Sequence, residues 1–175
     1  MPCFRSGNCL SAQARRSCLI HYNGALILFC RRGTVACPFF MPQQRLDRDW
    51  RFPQRLPLGA GWSGTCTVPG HEGCQPSDDE LKSCCNLGYA RGCSRLPRER
   101  HADAVRFALG EECGGVLRVR YACELDYLPA GHGELLYETA TGSWRERHPD
   151  ARIQRMAECY VEVQLEKRAS LPASD

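Results

Sequence analysis

The sequence contains no Cys-x-x-Cys pair. That removes the usual zinc knuckle and the thioredoxin-type redox motif. Lysine is almost absent: of 23 Lys and Arg residues only Lys82 and Lys167 are lysine. Arginine is the better bidentate phosphate ligand, but a bias spread over the whole chain fits GC-rich codon usage better than phosphate recognition. No long hydrophobic run exists. The stretch at 25–29 is far too short to cross a bilayer, which takes about 20 apolar residues. There is no phosphate-cradling glycine loop and no Gly-x-Ser-x-Gly. Ser77, Ser83 and Ser94 have no recognisable base partner, which is weak evidence against catalysis because enzymes need not show a motif.

What remains is cysteine. The 175 residues include thirteen cysteines, about 7% of the chain and just below the density of a disulfide scaffold. The 43% hydrophobic content can bury a core, and the length suits one domain with an extension. Arg15-Arg16-Ser17-Cys18-Leu19-Ile20 faintly resembles a twin-arginine signal, but His21 and Asn23 interrupt the apolar segment and Arg31-Arg32 occupies the place of a cleavage site. The expected compartment is therefore the cytoplasm. Thiols stay reduced there, and an odd number of them cannot all pair within the chain.

Charge and composition divide the chain. Residues 1–60 hold nine Arg against Asp47 and Asp49, whereas 61–175 hold fourteen Lys and Arg against eighteen acids. Residues 1–34 lack periodicity and read as a disordered leader or an over-extended start, with Val35 or Met41 as alternative first residues. The remaining expected divisions are a cysteine-rich lobe at 35–97, a sheet and helix at 98–168, and a disordered tail at 169–175. Residues 37–64 combine four prolines with Phe39, Phe40, Trp50, Phe52 and Trp62, which predicts an irregular segment whose aromatics form its core. Ser77-Asp78-Asp79-Glu80 is a capping box and predicts a short helix over 78–85.

Alternation from 104 to 126 predicts a hairpin. Leu117, Val119, Tyr121, Cys123 and Leu125 share one face, and Arg118, Arg120 and Glu124 the other. A helix over 101–109 is the weaker alternative. A loop at 129–133 and a third strand at 134–138 follow. Pro149 suits the first turn of a long helix reaching about 168, with Ile153, Met156, Ala157, Tyr160 and Val163 as its packed stripe. The fold class is α+β: an irregular, metal-stapled cysteine lobe joined to a small antiparallel sheet and one C-terminal helix.

Six cysteines lie between 37 and 93: Cys37, Cys66, Cys74, Cys84, Cys85 and Cys93, with His71 among them. Four thiolates are what a tetrahedral zinc or a four-iron–four-sulfur cluster needs. Cys37-Pro38, Cys66 ahead of Pro69-Gly70, Cys85 at a helix end, and Cys93 after Gly92 all lie at backbone turns. These four are the candidate metal ligands. Cys84 neighbours Cys85, so one of the pair ligates and the other packs. His71 or Cys74 could join a zinc site instead. Iron–sulfur is preferred over zinc, because Cys-Pro recurs at cluster ligands and widely separated cysteines suit a cluster that staples distant segments.

Cys37-Pro38-Phe39-Phe40, then Cys66, then Cys85 and Cys93 with seven residues between them and Pro97 beyond, resembles a four-cysteine module of small uncharacterised bacterial proteins. The stretch from Asp103 to Gly133 resembles the same proteins, so the likeness spans about 36–138. It implies four clustered cysteines and no known activity. The function expected is a binding or regulatory module with an unidentified protein partner. The alternatives are an iron–sulfur redox or oxygen sensor, and an Arg-rich nucleic-acid-binding protein using Arg45, Arg48, Trp50, Arg51, Phe52 and Arg55. Glu124, Asp126 and His132 form a weaker constellation for acid–base work.

Overall fold

The computed structural model describes residues 18–22, 25–29, 34–47, 50, 52–87 and 92–170. The chain divides into two units, Met1–Arg32 and Gly33–Asp175. In the first, strands β1 (Cys18–Tyr22) and β2 (Ala25–Phe29) pair antiparallel, from Cys18 opposite Phe29 to Tyr22 opposite Ala25. The rest of the expected leader, and the end of the tail beyond 170, lie outside the described residues.

The second unit is an α+β structure. Residues 40–66 form a hairpin rather than the irregular segment that their prolines suggest. Strand β3 (Phe40–Leu46) pairs antiparallel with β4 (Gly61–Cys66), and a short 3-10 turn at Pro53–Arg55 lies in the connection. Proline is tolerated because the ribbon has only two strands and the register slips between Pro42 and Gln44, so the missing N–H is not required by a ladder. The carbonyls of Pro42 and Gln43 at this slip accept hydrogen bonds from Arg155 at 3.1 and 3.2 Å. Gly61 and Gly64 are required by close approach: an added Cβ would meet the Trp50 ring or the Met41 carbonyl oxygen at 2.1 Å.

Four antiparallel strands follow in chain order: β5 (Ala104–Cys113), β6 (Val116–Leu125), β7 (Leu128–Glu138) and β8 (Ser143–Trp144). The expected hairpin is present, with Gly114 and Gly115 at positive φ in its turn. The loop expected at 129–133 is instead the start of β7. Asp126 and Tyr127 take positive φ (49° and 66°) and make a tight two-residue turn that brings Leu128 back beside Leu125. A non-glycine pair is unusual there; the Asp126 N–H donates to the buried Asp103 carboxylate at 3.1 Å and helps hold it. The segment before β3 extends this sheet, since Ala36 and Val105 exchange backbone hydrogen bonds at 2.9 and 3.0 Å.

The helical segment after Ser77 has the expected capping box, but only Asp78–Glu80 (α1) is α-helical, and Leu81–Cys85 continues as a π-helical turn. The long C-terminal helix α2 covers Ala151–Ala169. Asp150 caps it, and Pro149 precedes the cap rather than occupying the first turn. Its stripe packs on the protein's own sheets: Met156, Cys159 and Val163 join Phe40, Leu58, Trp62 and Val105 in one core cluster. Ala157 and Val161 join Leu117, Val119 and Leu135 in a second. Segments on both sides of residue 97 thus share a core.

The sheet's other face is not the solvated surface expected for Glu124. That carboxylate is buried and takes a two-pronged hydrogen bond from Arg106, which is also buried. Burial removes water from both charges, so each depends on protein partners, of which the other is one. Because Glu124 is consumed in this pair, the acid–base constellation with Asp126 and His132 loses its first carboxylate.

Candidate metal centre

Each candidate ligand is delivered by a different backbone feature. Cys37 ends the segment that bridges to β5, and its N–H donates to the Cys85 carbonyl at 3.3 Å. Pro38 turns the chain, so the Phe40 N–H returns to the Cys37 carbonyl at 3.1 Å. Cys66 closes β4 at its pairing with Phe40. Cys84 and Cys85 end the π-helical turn, and Cys93 follows 88–91, which lie outside the described residues.

One side chain fixes the Cys84–Cys85 turn to β4, and the sequence reading missed it. Asn86 is 2% exposed. Its Oδ1 accepts the Trp62 N–H at 2.9 Å, and its Nδ2 donates to the Trp62 carbonyl at 2.9 Å and to the Leu81 carbonyl at 3.2 Å. The amide thus behaves like an extra strand residue. The available signal was an amide directly after two cysteines at a helix end, where short polar side chains compete for backbone groups.

The thiols themselves share one neighbourhood. Cys37 lies within electrostatic reach of Cys93, Cys66 and Cys84, and Cys85 within reach of Cys37, Cys84, Cys93 and Cys66. Cys37, Cys66, Cys84 and Cys85 are buried and Cys93 is half-buried. All four residues singled out from the sequence therefore come together, and Cys84 joins them. Cys74 and His71 do not: both are exposed, on a loop closed by the Cys66 N–H to the Cys74 carbonyl at 2.8 Å.

Burial pushes the Cys37 thiol up to about 12 and raises Cys85 as well, with the neighbouring thiols adding to both. As free thiols these two hold their protons at neutral pH. Against this, the Phe39 N–H donates to the Cys37 sulfur. Two guanidiniums also stand close. Arg95 hydrogen-bonds the Cys66 sulfur and pairs with Glu80 at 2.9 Å, while Arg152 feels Cys37. The Ser77 amide holds the Glu80 carboxyl below its usual value, with Arg95 contributing. A line of contacts therefore runs from the α1 capping box through Arg95 to a cysteine sulfur. Amide and guanidinium donors at sulfur stabilise thiolate over thiol.

Among the described residues, no group of three or more Cys, His, Asp or Glu side chains is arranged to hold a metal ion. The thiols are gathered but packed as thiols. No protein family, curated protein or solved structure matches the chain. Among the described residues, no helix is long and apolar enough to cross a membrane.

The arginine–aromatic stretch is placed in part. Arg48 and Arg51 lie outside the described residues. The Trp50 ring covers Gly61 and its Nε1 is buried, so it turns inward. Phe52 faces outward beneath Arg55, whose guanidinium is 4.6 Å from the ring centre. Arg45 pairs with Glu166. The aromatic that stacking on bases would need most is thus occupied by packing.

Proposed function

We propose that this protein is a binding or regulatory module built around a cysteine-ligated metal, with Cys37, Cys66, Cys85 and Cys93 as ligands. The observation that carries the reading is the gathering of five thiols from four separate segments into one buried neighbourhood beside two guanidiniums. Each guanidinium is paired with a carboxylate, Arg95 with Glu80 and Arg152 with Asp150, and both lie near enough to offset part of the net −2 that four thiolates carry with Zn²⁺. Cys84, adjacent to Cys85, is the packing member of the pair. Cys37, Cys66, Cys85 and Cys93 would have to give up their thiol protons to hold a metal.

The metal's job in this reading is to staple. Cys85 and Cys93 lie outside the strands, and ligation can supply on the order of 10 kcal/mol to fix their segments to Cys66 at the end of β4 and to Cys37. Burial favours a structural centre over an oxygen-sensing cluster, which works by exposure to solvent. A four-iron–four-sulfur cluster is preferred to zinc because Cys37 is followed by proline and its sulfur takes an amide hydrogen bond. The reading places the protein in the reducing cytoplasm, where thiolates remain available to metal. Its sequence resemblance to four-cysteine bacterial modules points the same way.

The test is the metal content and visible spectrum of protein purified without air, for the wild type and for Cys85→Ala/Cys93→Ala. Brown protein absorbing near about 400 nm and colourless in the variant supports the cluster. Colourless protein with stoichiometric zinc, lost in the variant, supports the zinc form. Metal-free, folded wild type would refute the proposal.

A further inference from the structure

A cavity of about 500 Å³ opens between the first turn of α2, the edge of β6 and β7, and the segment at 97–102. That volume falls in the range of small-molecule sites. Its wall is apolar, with Phe39, Pro69, Pro97, Ala130 and Ile153 among the lining residues. Its polar lining sets Arg100, Arg152, His101, His132 and His148 against the acids Glu99 and Asp150. Three of the four histidines with described side chains thus line one cavity, the exception being His71.

The acids nearby are largely committed, although the buried Oδ1 of Asp103 has no hydrogen-bond partner. Asp150 caps α2 and takes two hydrogen bonds from the Arg152 guanidinium at 2.9 and 2.6 Å. The buried Asp103 carboxylate accepts from Arg100 at 3.2 Å. Glu99 is the remaining lining acid, and it is exposed. Arg100 keeps a buried Nε–H with no acceptor. His148 accepts the Asp150 N–H at Nδ1 (2.9 Å), so in its neutral form the proton is on Nε2, 3.0 Å from the Tyr121 hydroxyl. The ring meets Tyr121 edge-on at 4.9 Å between centres. Both ring nitrogens are therefore engaged, so His148 shapes the wall of the cavity and leaves the polar contact to its neighbours.

We propose that this cavity binds a small organic carboxylate with an apolar body. The body packs on the proline and aromatic wall, and the carboxylate is received by Arg100, whose Nε–H lacks an acceptor, together with His101 and His132. A neutral amide of the same shape brings no charge to meet Arg100, and a cation is repelled by it. Selectivity for the anion thus follows from the lining. The proposal goes beyond the metal reading and does not depend on it.

The test uses the full chain, with benzoate and 4-phenylbutyrate as probes and benzamide and benzylamine as neutral and cationic controls, read by the histidine ring resonances in NMR. Saturable shifts at His101, His132 and His148 with the acids, at least about tenfold weaker with benzamide, are expected. The blocking variant is Gly131→Phe. Gly131 lines the cavity, and a Cβ added there meets nothing within 4 Å, so the fold should be kept while the space is filled. Loss of the shifts with an unchanged melting temperature supports the site. Should that variant unfold, His132→Gln at an exposed position replaces it and should weaken binding several-fold. No saturable shift with either acid, equal binding of benzamide, or binding untouched by both variants would overturn the proposal.

Discussion

Replacing Asn86 by alanine removes three hydrogen bonds from the interior at once. The Trp62 N–H and carbonyl lose their side-chain partner, the Leu81 carbonyl keeps only the residue-86 N–H at 2.9 Å, and Asn86 is 2% exposed, so water does not replace it without opening the turn. Net contributions of about 1 kcal/mol per bond give about 3 kcal/mol. The stranded Trp62 N–H adds its desolvation cost, for a total of about 4 kcal/mol. For a unit of this size that corresponds to a melting temperature lower by about 10–15 °C. The assay is urea unfolding followed by far-UV circular dichroism on wild type, Asn86→Ala and Asn86→Asp. The aspartate keeps the acceptor for Trp62 but loses both donations and buries a charge, so it should fare no better than alanine. Because the same amide ties Cys84 and Cys85 to β4, metal content should fall in parallel. A loss below about 1 kcal/mol in Asn86→Ala would refute the claim that this side chain anchors the turn.

Arg106→Ala should cost about 3–5 kcal/mol in urea unfolding by leaving Glu124 charged and buried, while Arg106→Leu/Glu124→Leu should recover most of it. Burial pushes the Cys159 thiol from 9.0 up to about 12. Below pH 9.0 both folded and unfolded forms hold this proton. Above it only the folded form does, so the stability it contributes is lost as pH rises through about 12. On the order of 3 kcal/mol should disappear across that window and be absent in Cys159→Ala, as measured by unfolding at several alkaline pH values. Among the cysteines with described side chains, Cys74 and Cys113 are exposed and should be alkylated by iodoacetamide first, with Cys37, Cys84, Cys85 and Cys159 far slower by peptide mass spectrometry.

Local patterns with a single physical meaning were legible. The Ser77–Glu80 capping box, the Gly114-Gly115 turn and the helical stripe from Ile153 to Val163 each appear where their spacing puts them. The α+β class follows from these. What failed was inference from one residue type at a time. Proline density concealed the β3–β4 hairpin, because a two-stranded ribbon with a slipped register can accept Pro42. Asp126-Tyr127 carries no turn glycine, and its left-handed geometry is supported by a distant contact to Asp103 that no local window contains. The buried Arg106–Glu124 pair is likewise a tertiary fact, since alternation alone places charges outward. In residues 1–34, Asn23-Gly24 between two short apolar stretches is a hairpin signal, and β1 and β2 flank it. For the site, the six cysteines between 37 and 93, Cys84 included, were read from the sequence, whereas the anchoring Asn86 was not, because its role depends on which strand the π-helical turn packs against.

The most direct measurement is X-ray absorption at the metal edge of protein purified without air. The account predicts four sulfur scatterers at about 2.3 Å, with an iron–iron shell if the centre is a cluster, and loss of that shell in Cys37→Ala. A metal surrounded by oxygen and nitrogen, or no metal in a folded protein, would contradict it and leave the five gathered thiols as ordinary packing.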